Sequence, residues 1–389
     1  MEKVRFGIIG VGNMGSSHAK KFLGGNVKNG VLTAICDLKK ERMDAVCALD
    51  GGADLATYSD YHDLLASGKV DAVIVAVPHY FHPRISMDAL AAGLNVICEK
   101  PEGVYTKQVK ELNEAASRSD KLFTMMFNQR TNCIYRKMRE MVRNGEVGEI
   151  KRVNWIVTDW YRSQSYYDSG DWRATWRGEG GGVLFNQCPH QLDLLQWVTG
   201  MMPARIRSFC HFGKWHDIEV EDDVTAYLEY PNGATGVFIT STGDAPGTNR
   251  FEIDGDKGKL VCELNRLTFS RLAMSEREFN ATYKGGFGMP EHEEIAVETD
   301  GENPQHVGIL NNFANAVLGL EPLFVDGREG IRGVELMDAM LLSTWKDRTV
   351  SLPIDDDEYW DELQKHIAVS RLKTASGVVL DTEGTYTSK

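Results

Sequence analysis

The sequence predicts an α/β protein, with a doubly wound parallel sheet first and an α+β domain built on a large, mainly antiparallel sheet second. Three observations carry this. A short apolar run, Val4 to Ile9, leads directly into Gly10-Val11-Gly12-Asn13-Met14-Gly15 and then a helical stretch. Apolar strands and helical segments then alternate to about residue 128, as βαβ units do. Beyond that point short strands of alternating character follow one another, two of them joined by Asn232-Gly233, a strong hairpin signal.

Taken in order, Val4, Phe6, Ile8 and Ile9 read as a buried parallel strand. In the G-x-G-x-x-G that follows, Gly10 permits a tight turn, Gly12 lets the backbone approach a pyrophosphate, and Gly15 lets the helix pack closely on the strand. Asn13 and Met14 lie in the same loop, at the helix N-terminus that would face the phosphates. A second apolar run, Val31 to Cys36, ends at Asp37, 22 residues beyond Gly15. An acid there accepts hydrogen bonds from ribose hydroxyls, so the segment predicts a dinucleotide site. Asp37 favours NAD over NADP because it would repel a 2′-phosphate. Lys39 and Lys40 leave NADP open.

The stretch after Asp37 is helical and stops at Gly51-Gly52, and Asp60 is a good N-cap before Tyr61. Val70 to Val77 is an uninterrupted buried strand ending at Pro78. A crossover helix closes at Gly93, and Leu94 to Cys98 runs into Glu99-Lys100-Pro101. A helix over 106–119 and a strand over 122–127 complete the sheet. Right-handed crossovers place Gly10, Asp37, Pro78, Lys100 and Asn128 on one edge, where open α/β sheets bind ligands. A helix over 135–144 bridges to EVGEIKRVNWIVTDW, residues 146–160; alternating strands follow at 204–213, 223–230 and 234–242, with the further pair RFEIDG and GKLVCEL. Helices over 305–318 and 328–345 follow. The expected domains are residues 1–128, 129–354, and a C-terminal extension 355–389 whose last residues, TEGTYTSK, are expected to fray.

The 389 residues allow two domains; they are 42% hydrophobic and 25% charged, an ordinary globular composition. The formal net charge of −13 argues against nucleic-acid and anionic-membrane partners. No apolar run reaches membrane-spanning length, and the N-terminal apolar stretch is too short and Gly-broken for a signal peptide. Seven scattered cysteines with no C-x-x-C fit a reduced, cytoplasmic setting.

Lys100 ends a buried strand on the ligand edge, where it could donate to a substrate hydroxyl and hold a developing oxyanion. The alternative is a surface lysine after a strand. His190 lies in GGGVLFNQCPHQLDLLQWVTG. Asn186, His190 and Asp193 would share a face if one helix covered all three; Pro189 suits a first turn instead, which would leave Asn186 just before the helix. A His beside an amide or carboxylate is a common general base, and a His at a helix start is also a common structural hydrogen-bonder. His79 and His82 have no third ligand placed to complete a metal set, so no metal is expected.

The chain resembles the Gfo/Idh/MocA family of NAD(P)-dependent oxidoreductases. The marks are GVGNMG at 10–15, AVPHYFHP at 76–83, EKP at 99–101 and GGGVLFNQCPHQLD at 180–193, with WKDRTVSLP late in the chain. The similarity spans about residues 3–353 and implies a Rossmann domain. It implies that Lys100 contacts the nicotinamide ribose and the substrate hydroxyl, and that His190 is the acid/base. Arg130 would lie in the substrate pocket, and Pro78, His82 and Glu99 would border the cofactor. Many such dehydrogenases carry Asp where this chain has Asn186, which can hold a hydroxyl or orient His190 but cannot act as a base.

Residues 159–182 are rich in aromatics and arginines, among them Tyr161, Trp172 and Arg173. They read as a lid for a carbohydrate or cyclitol, or as an interdomain loop with core aromatics. The expected activity is hydride transfer between NAD(H) and a secondary ring hydroxyl of a sugar, glycoside or cyclitol. Two alternatives stay open: a redox-neutral NAD-dependent glycosidase or lyase acting through a transient keto-sugar, and a non-catalytic NAD-binding sensor. The exposed face of an antiparallel sheet in the second domain predicts a homodimer or homotetramer.

Overall fold

The computed structural model describes residues 3–371 and 373. The described residues form two compact units, one from 3–131 with 304–334, the other from 132–303 with the described residues after 334.

The first unit holds six parallel strands: β1 (Val4–Ile9), β2 (Gly30–Cys36), β3 (Ala56–Tyr58), β4 (Ala72–Val75), β5 (Asn95–Cys98) and β6 (Phe123–Met125). Their order is β3-β2-β1-β4-β5-β6, which puts the reversal of strand order beside β1 and β4. The linking helices are α1 (Asn13–Leu23), α2 (Lys40–Cys47), α3 (Tyr61–Ala66), α4 (His82–Ala91) and α5 (Thr106–Arg118). Helices on both faces explain the continuous apolar runs; every residue of β4 is buried. Asp60 caps α3 by accepting from the His62 N–H.

The helix Gln305–Val317 belongs to this unit, not to the second domain where the sequence reading put it. Its Ile309, Leu310, Phe313 and Ala314 are part of the first unit's core, and the Phe313 ring lies 6.3 Å from that of Phe6. Amphipathicity says that a helix must bury one face; it does not say against which sheet.

The second unit is built on nine strands: β7 (Ile150–Val157), β8 (Arg205–Phe212), β9 (Glu221–Glu229), β10 (Thr235–Ser241), β11 (Asn249–Gly255), β12 (Gly258–Glu263), β13 (Arg266–Leu272), β14 (His292–Ala296) and β15 (Val350–Ser351). Their order is β14-β13-β12-β11-β7-β10-β9-β8-β15. β7 runs parallel to β10 and antiparallel to β11; the other described pairings are antiparallel. The hairpin predicted from Asn232-Gly233 joins β9 and β10, with Gly233 at φ +85°. One face of the sheet is buried, with Trp155 stacked on Phe251 at 4.1 Å.

Four helices of this unit bear on the site: α6 (Cys133–Arg143), α7 (Gln164–Asp168), α8 (Val183–Asn186) and α9 (Pro189–Thr199). The expected C-terminal extension begins as a helix, Asp356–Val369, whose cap Asp355 accepts from the N–H groups of Asp357 and Glu358. The TEGTYTSK tail lies outside the described residues. No helix among those described is long and apolar enough to cross a membrane. The seven cysteines are all free thiols.

Candidate functional site

The glycine loop has the shape that the spacing predicted. Gly10 sits at φ +88°, and a Cβ there would lie 2.5 Å from the Ala76 carbonyl oxygen. A Cβ on Gly15 would lie 1.9 Å from the Gly10 oxygen, so this position tolerates only glycine. At Gly12 the nearest atom to an added Cβ is Arg42 Nη1 at 3.8 Å, so protein does not fill the space over the loop. Gly12 is the N-cap of α1; no side chain caps that end and its first turn holds no acid, while Lys20 and Lys21 occupy the last turn. The positive end of the helix dipole, with Asn13 and Met14 in its first turn, is therefore left to an external anion.

Asp37 follows β2 and is 7% exposed. Its Oδ2 accepts from the Val11 N–H and its Oδ1 from the Lys39 N–H, both at 2.9 Å. The carboxylate thus ties the end of β2 to the glycine loop. Its nearest cation is Arg42, with Nη1 at 3.6 Å, whereas Lys40 pairs with Asp44. These donors and acceptors fit a pyrophosphate and a ribose in one arrangement.

At the end of β5, Glu99 turns inward. It is 5% exposed, and its Oε1 accepts from His18 Nε2 at 2.6 Å. Burial alone would raise its pKa; the hydrogen bond from His18 and the charges of His18, His306 and Lys100 outweigh this and hold the carboxyl at about 2. The His306 ring meets His18 edge-on at 5.6 Å, and burial pushes its pKa down to about 4 against the pull of Glu99. Lys100, the next residue, is partly exposed. His82 is buried, with Nδ1 2.7 Å from the Pro101 carbonyl and Nε2 2.7 Å from that of Val77, so it braces the loops after β4 and β5 against each other. Pro78 starts the short turn His79–Phe81 between them. Arg130, expected in the substrate pocket, is 1% exposed, ion-paired with Glu329 and stacked over Phe127. Asn128 donates to Gln305.

In the second unit the segment around His190 is not one helix. α8 ends at Asn186, and α9 begins at Pro189 as its first residue. Proline at this position costs no hydrogen bond, and it separates Asn186 from the helix that carries His190 and Asp193. From Glu179 to Thr199 every residue is buried except Asn186 and His190. Asp193, expected beside them, is 2% exposed and accepts from Gln196 Nε2.

Asn186 Nδ2 donates to Glu179, and its Oδ1 accepts from the Tyr166 hydroxyl at 3.1 Å. Arg173 Nη1 donates to that hydroxyl at 3.0 Å, with its guanidinium 4.7 Å from the Trp172 ring centre. Tyr161 is 54% exposed. Other aromatics of the expected lid are core: Tyr167 is hydrogen-bonded to Thr242, and Trp176 packs on Trp345 and His366. His18, Arg42 and Glu179 were missed. His18 had a readable signal, three residues beyond Gly15 on the inner face of α1; nothing in the sequence links it to Glu99.

Residues 4–127 match the family described as "Oxidoreductase family, NAD-binding Rossmann fold", and residues 135–261 match the GFO/IDH/MocA C-terminal domain. Among curated proteins the chain is 24% identical to myo-inositol 2-dehydrogenase of Thermotoga maritima over 90% of its own length and 98% of the relative's. It is 28% identical to D-glucoside 3-dehydrogenase of Escherichia coli over 59% of this chain and 68% of that one. Among solved structures, the WlbA dehydrogenase of Bordetella pertussis in complex with NADH and UDP-GlcNAcA superposes with TM-score 0.77 at 26% identity, covering 91% of this chain and 99% of that one.

Proposed function

Because the chain belongs to the GFO/IDH/MocA family of NAD-dependent oxidoreductases, we propose that it oxidises a secondary ring hydroxyl of a sugar, glycoside or cyclitol, or reduces the matching ketone. The observation that carries this reading is the exposure pattern of 179–199: a long buried stretch presents one amide, Asn186, and one imidazole, His190. Bound NAD supplies the hydride acceptor. His190 takes the hydroxyl proton, as an imidazole near neutral pKa is suited to do. Asn186 holds a neighbouring hydroxyl. Lys100, at the C-terminal end of β5, donates to the substrate oxygen and steadies the charge on it. Tyr161, Trp172 and Arg173 offer aromatic faces and donors to a sugar ring. Relatives named for an inositol and a glucoside, and the WlbA dehydrogenase in complex with a nucleotide sugar, support this class.

The sheet of the second unit supports a further proposal, self-association. Phe209, Thr225, Ile239 and Ile156 are successive cross-strand neighbours on its outer face, and Phe209 is 52% and Ile156 36% exposed. Such a face suits a second copy of the chain. The free thiols suit a cytoplasmic location.

The test is NADH or NADPH formation at 340 nm with myo-inositol, free glucose, methyl glucosides and a UDP-hexuronate. Turnover of one of these with NAD supports the reading. Cleavage of a glycoside without NADH accumulation would replace it with redox-neutral chemistry, and NADH binding with no change to any compound would leave only a sensor.

A further inference from the structure

Asn186 is neutral, yet it is wired to a buried carboxyl group. Its Nδ2 donates to Glu179, a side chain only 2% exposed, whose Oε2 accepts from the Ala174 N–H at 2.5 Å. A carboxylate can only accept, so it dictates which way the amide faces: NH2 toward Glu179, oxygen toward Tyr166. Tyr166 receives Arg173 Nη1 at 3.0 Å and Gln187 Nε2 at 3.2 Å. Arg173, Tyr166, Asn186 and Glu179 therefore form a chain from a cation to a buried acid through two neutral groups.

The backbone holds this chain in place from both ends. Glu221, buried, accepts through Oε1 from the N–H groups of Gly182 at 2.7 Å and Leu184 at 3.0 Å, which fixes the start of α8. Glu179 holds its end at Asn186. Between them, a Cβ on Gly181 would lie 2.3 Å from the Phe185 ring and one on Gly182 would lie 2.0 Å from the Glu221 backbone carbonyl oxygen. The turn leaves no room for other residues or for slack.

We propose that Glu179 is a positioning residue for the oxidoreductase reaction. It sets the orientation of the Asn186 amide and supplies, one side chain behind the surface, the negative charge that Asn186 lacks. That charge favours a cationic imidazole in the substrate site as the hydroxyl proton is taken. The proposal rests on the reading of Asn186 and His190 as substrate-facing groups.

The experiment moves the charge. Glu179→Gln keeps size and an acceptor oxygen but removes the charge; it lowers kcat at least tenfold while the NADH dissociation constant stays within twofold. Glu179→Gln with Asn186→Asp returns one carboxylate to the pair and regains at least fivefold. Asn186→Asp alone sets two carboxylates against each other, lowers kcat at least tenfold, and melts below wild type at pH 8, a loss that Glu179→Gln repairs. The compound is the one turned over fastest among myo-inositol, free glucose, methyl glucosides and a UDP-hexuronate. Wild-type kcat in Glu179→Gln, or no recovery in the double variant, overturns the proposal. If Glu179→Gln does not fold, wild-type kcat in Asn186→Asp overturns it equally. If none of the compounds is turned over, the melting cycle decides, and an unchanged Asn186→Asp melting point overturns it. His190→Ala separates the two readings. Normal turnover there sinks the reading of the site itself; an inactive His190→Ala beside a normal Glu179→Gln sinks only the role of Glu179.

Discussion

Replacing His18 tests the electrostatics of the NAD-binding unit. The imidazole is fully buried and its Nε2 lies 2.6 Å from Glu99 Oε1. A carboxyl held at about 2 against an ordinary 4.5 corresponds to roughly 3 kcal/mol of folding free energy. Removing one partner of a buried pair typically costs about 3–5 kcal/mol; His306 and Lys100 still act on Glu99, so His18→Ala is expected at the lower end, about 3 kcal/mol, at pH 7. His18→Gln keeps a donor and should cost less. The sign is fixed by Glu99. Its pKa is depressed in the fold, so the stabilisation is complete above about pH 4.5 and is lost as pH falls toward 2. The gap between wild type and His18→Ala is therefore widest at neutral pH and narrows in acid. Urea unfolding followed by far-UV circular dichroism measures it. Tryptophan fluorescence is the internal control, because all eight tryptophans lie in the second unit. A His18→Ala variant within about 0.5 kcal/mol of wild type at pH 7, or a gap that widens on acidification, would refute the argument.

Three further outcomes are expected. Lys100→Ala and His190→Ala each lower turnover by roughly 100-fold or more, while NADH titration by fluorescence still shows binding; turnover at the wild-type rate in either removes that residue from the site. Burial pushes the Glu221 carboxyl up to about 8, so the folded chain keeps a proton that the unfolded chain releases, and stability falls as pH rises from about 4.5 to 8. Glu221→Gln should then raise the melting temperature by an amount that grows over this window; a constant difference would contradict it. If two copies of the chain pair through the outer face of the second unit's sheet, Phe209→Glu with Ile156→Glu lowers the mass read by light scattering without altering the far-UV spectrum; an unchanged mass would show that the face serves something else.

Much of the first unit was legible because its signals are local. The turn at Gly10, the close packing at Gly15 and the cap at Asp60 each follow from a few adjacent residues. Asn232-Gly233 announced its hairpin for the same reason. What the sequence hid are pairings across long separations. His18 and Glu99 meet through the order of β1, β4 and β5, and Arg130 meets Glu329 only because residues 304–334 return to the first unit. The break at Pro189 shows a nearer limit. Spacing alone allowed Asn186, His190 and Asp193 to share a face, but proline starts a new helix, and Asp193 turns to the core while the other two stay partly exposed. The aromatics of 159–182 divide for a similar reason: composition marks a sugar lid and a core alike, and only packing separates Tyr161 from Trp176.

The discontinuity of the first unit reaches beyond its static architecture. The core around Phe6 and Phe22 needs Phe313, and the chain that supplies it leaves at Thr131 and returns at Pro304. During synthesis at about 5–20 residues per second, the first six strands emerge and then wait roughly 10–40 seconds for their last helix. An apolar flank stays uncovered in that interval, which is when a nascent-chain chaperone would have most to bind. A fragment cut near residue 130 would remain in that condition permanently, so a minimal NAD-binding module from this chain has to carry residues 304–334 as a graft.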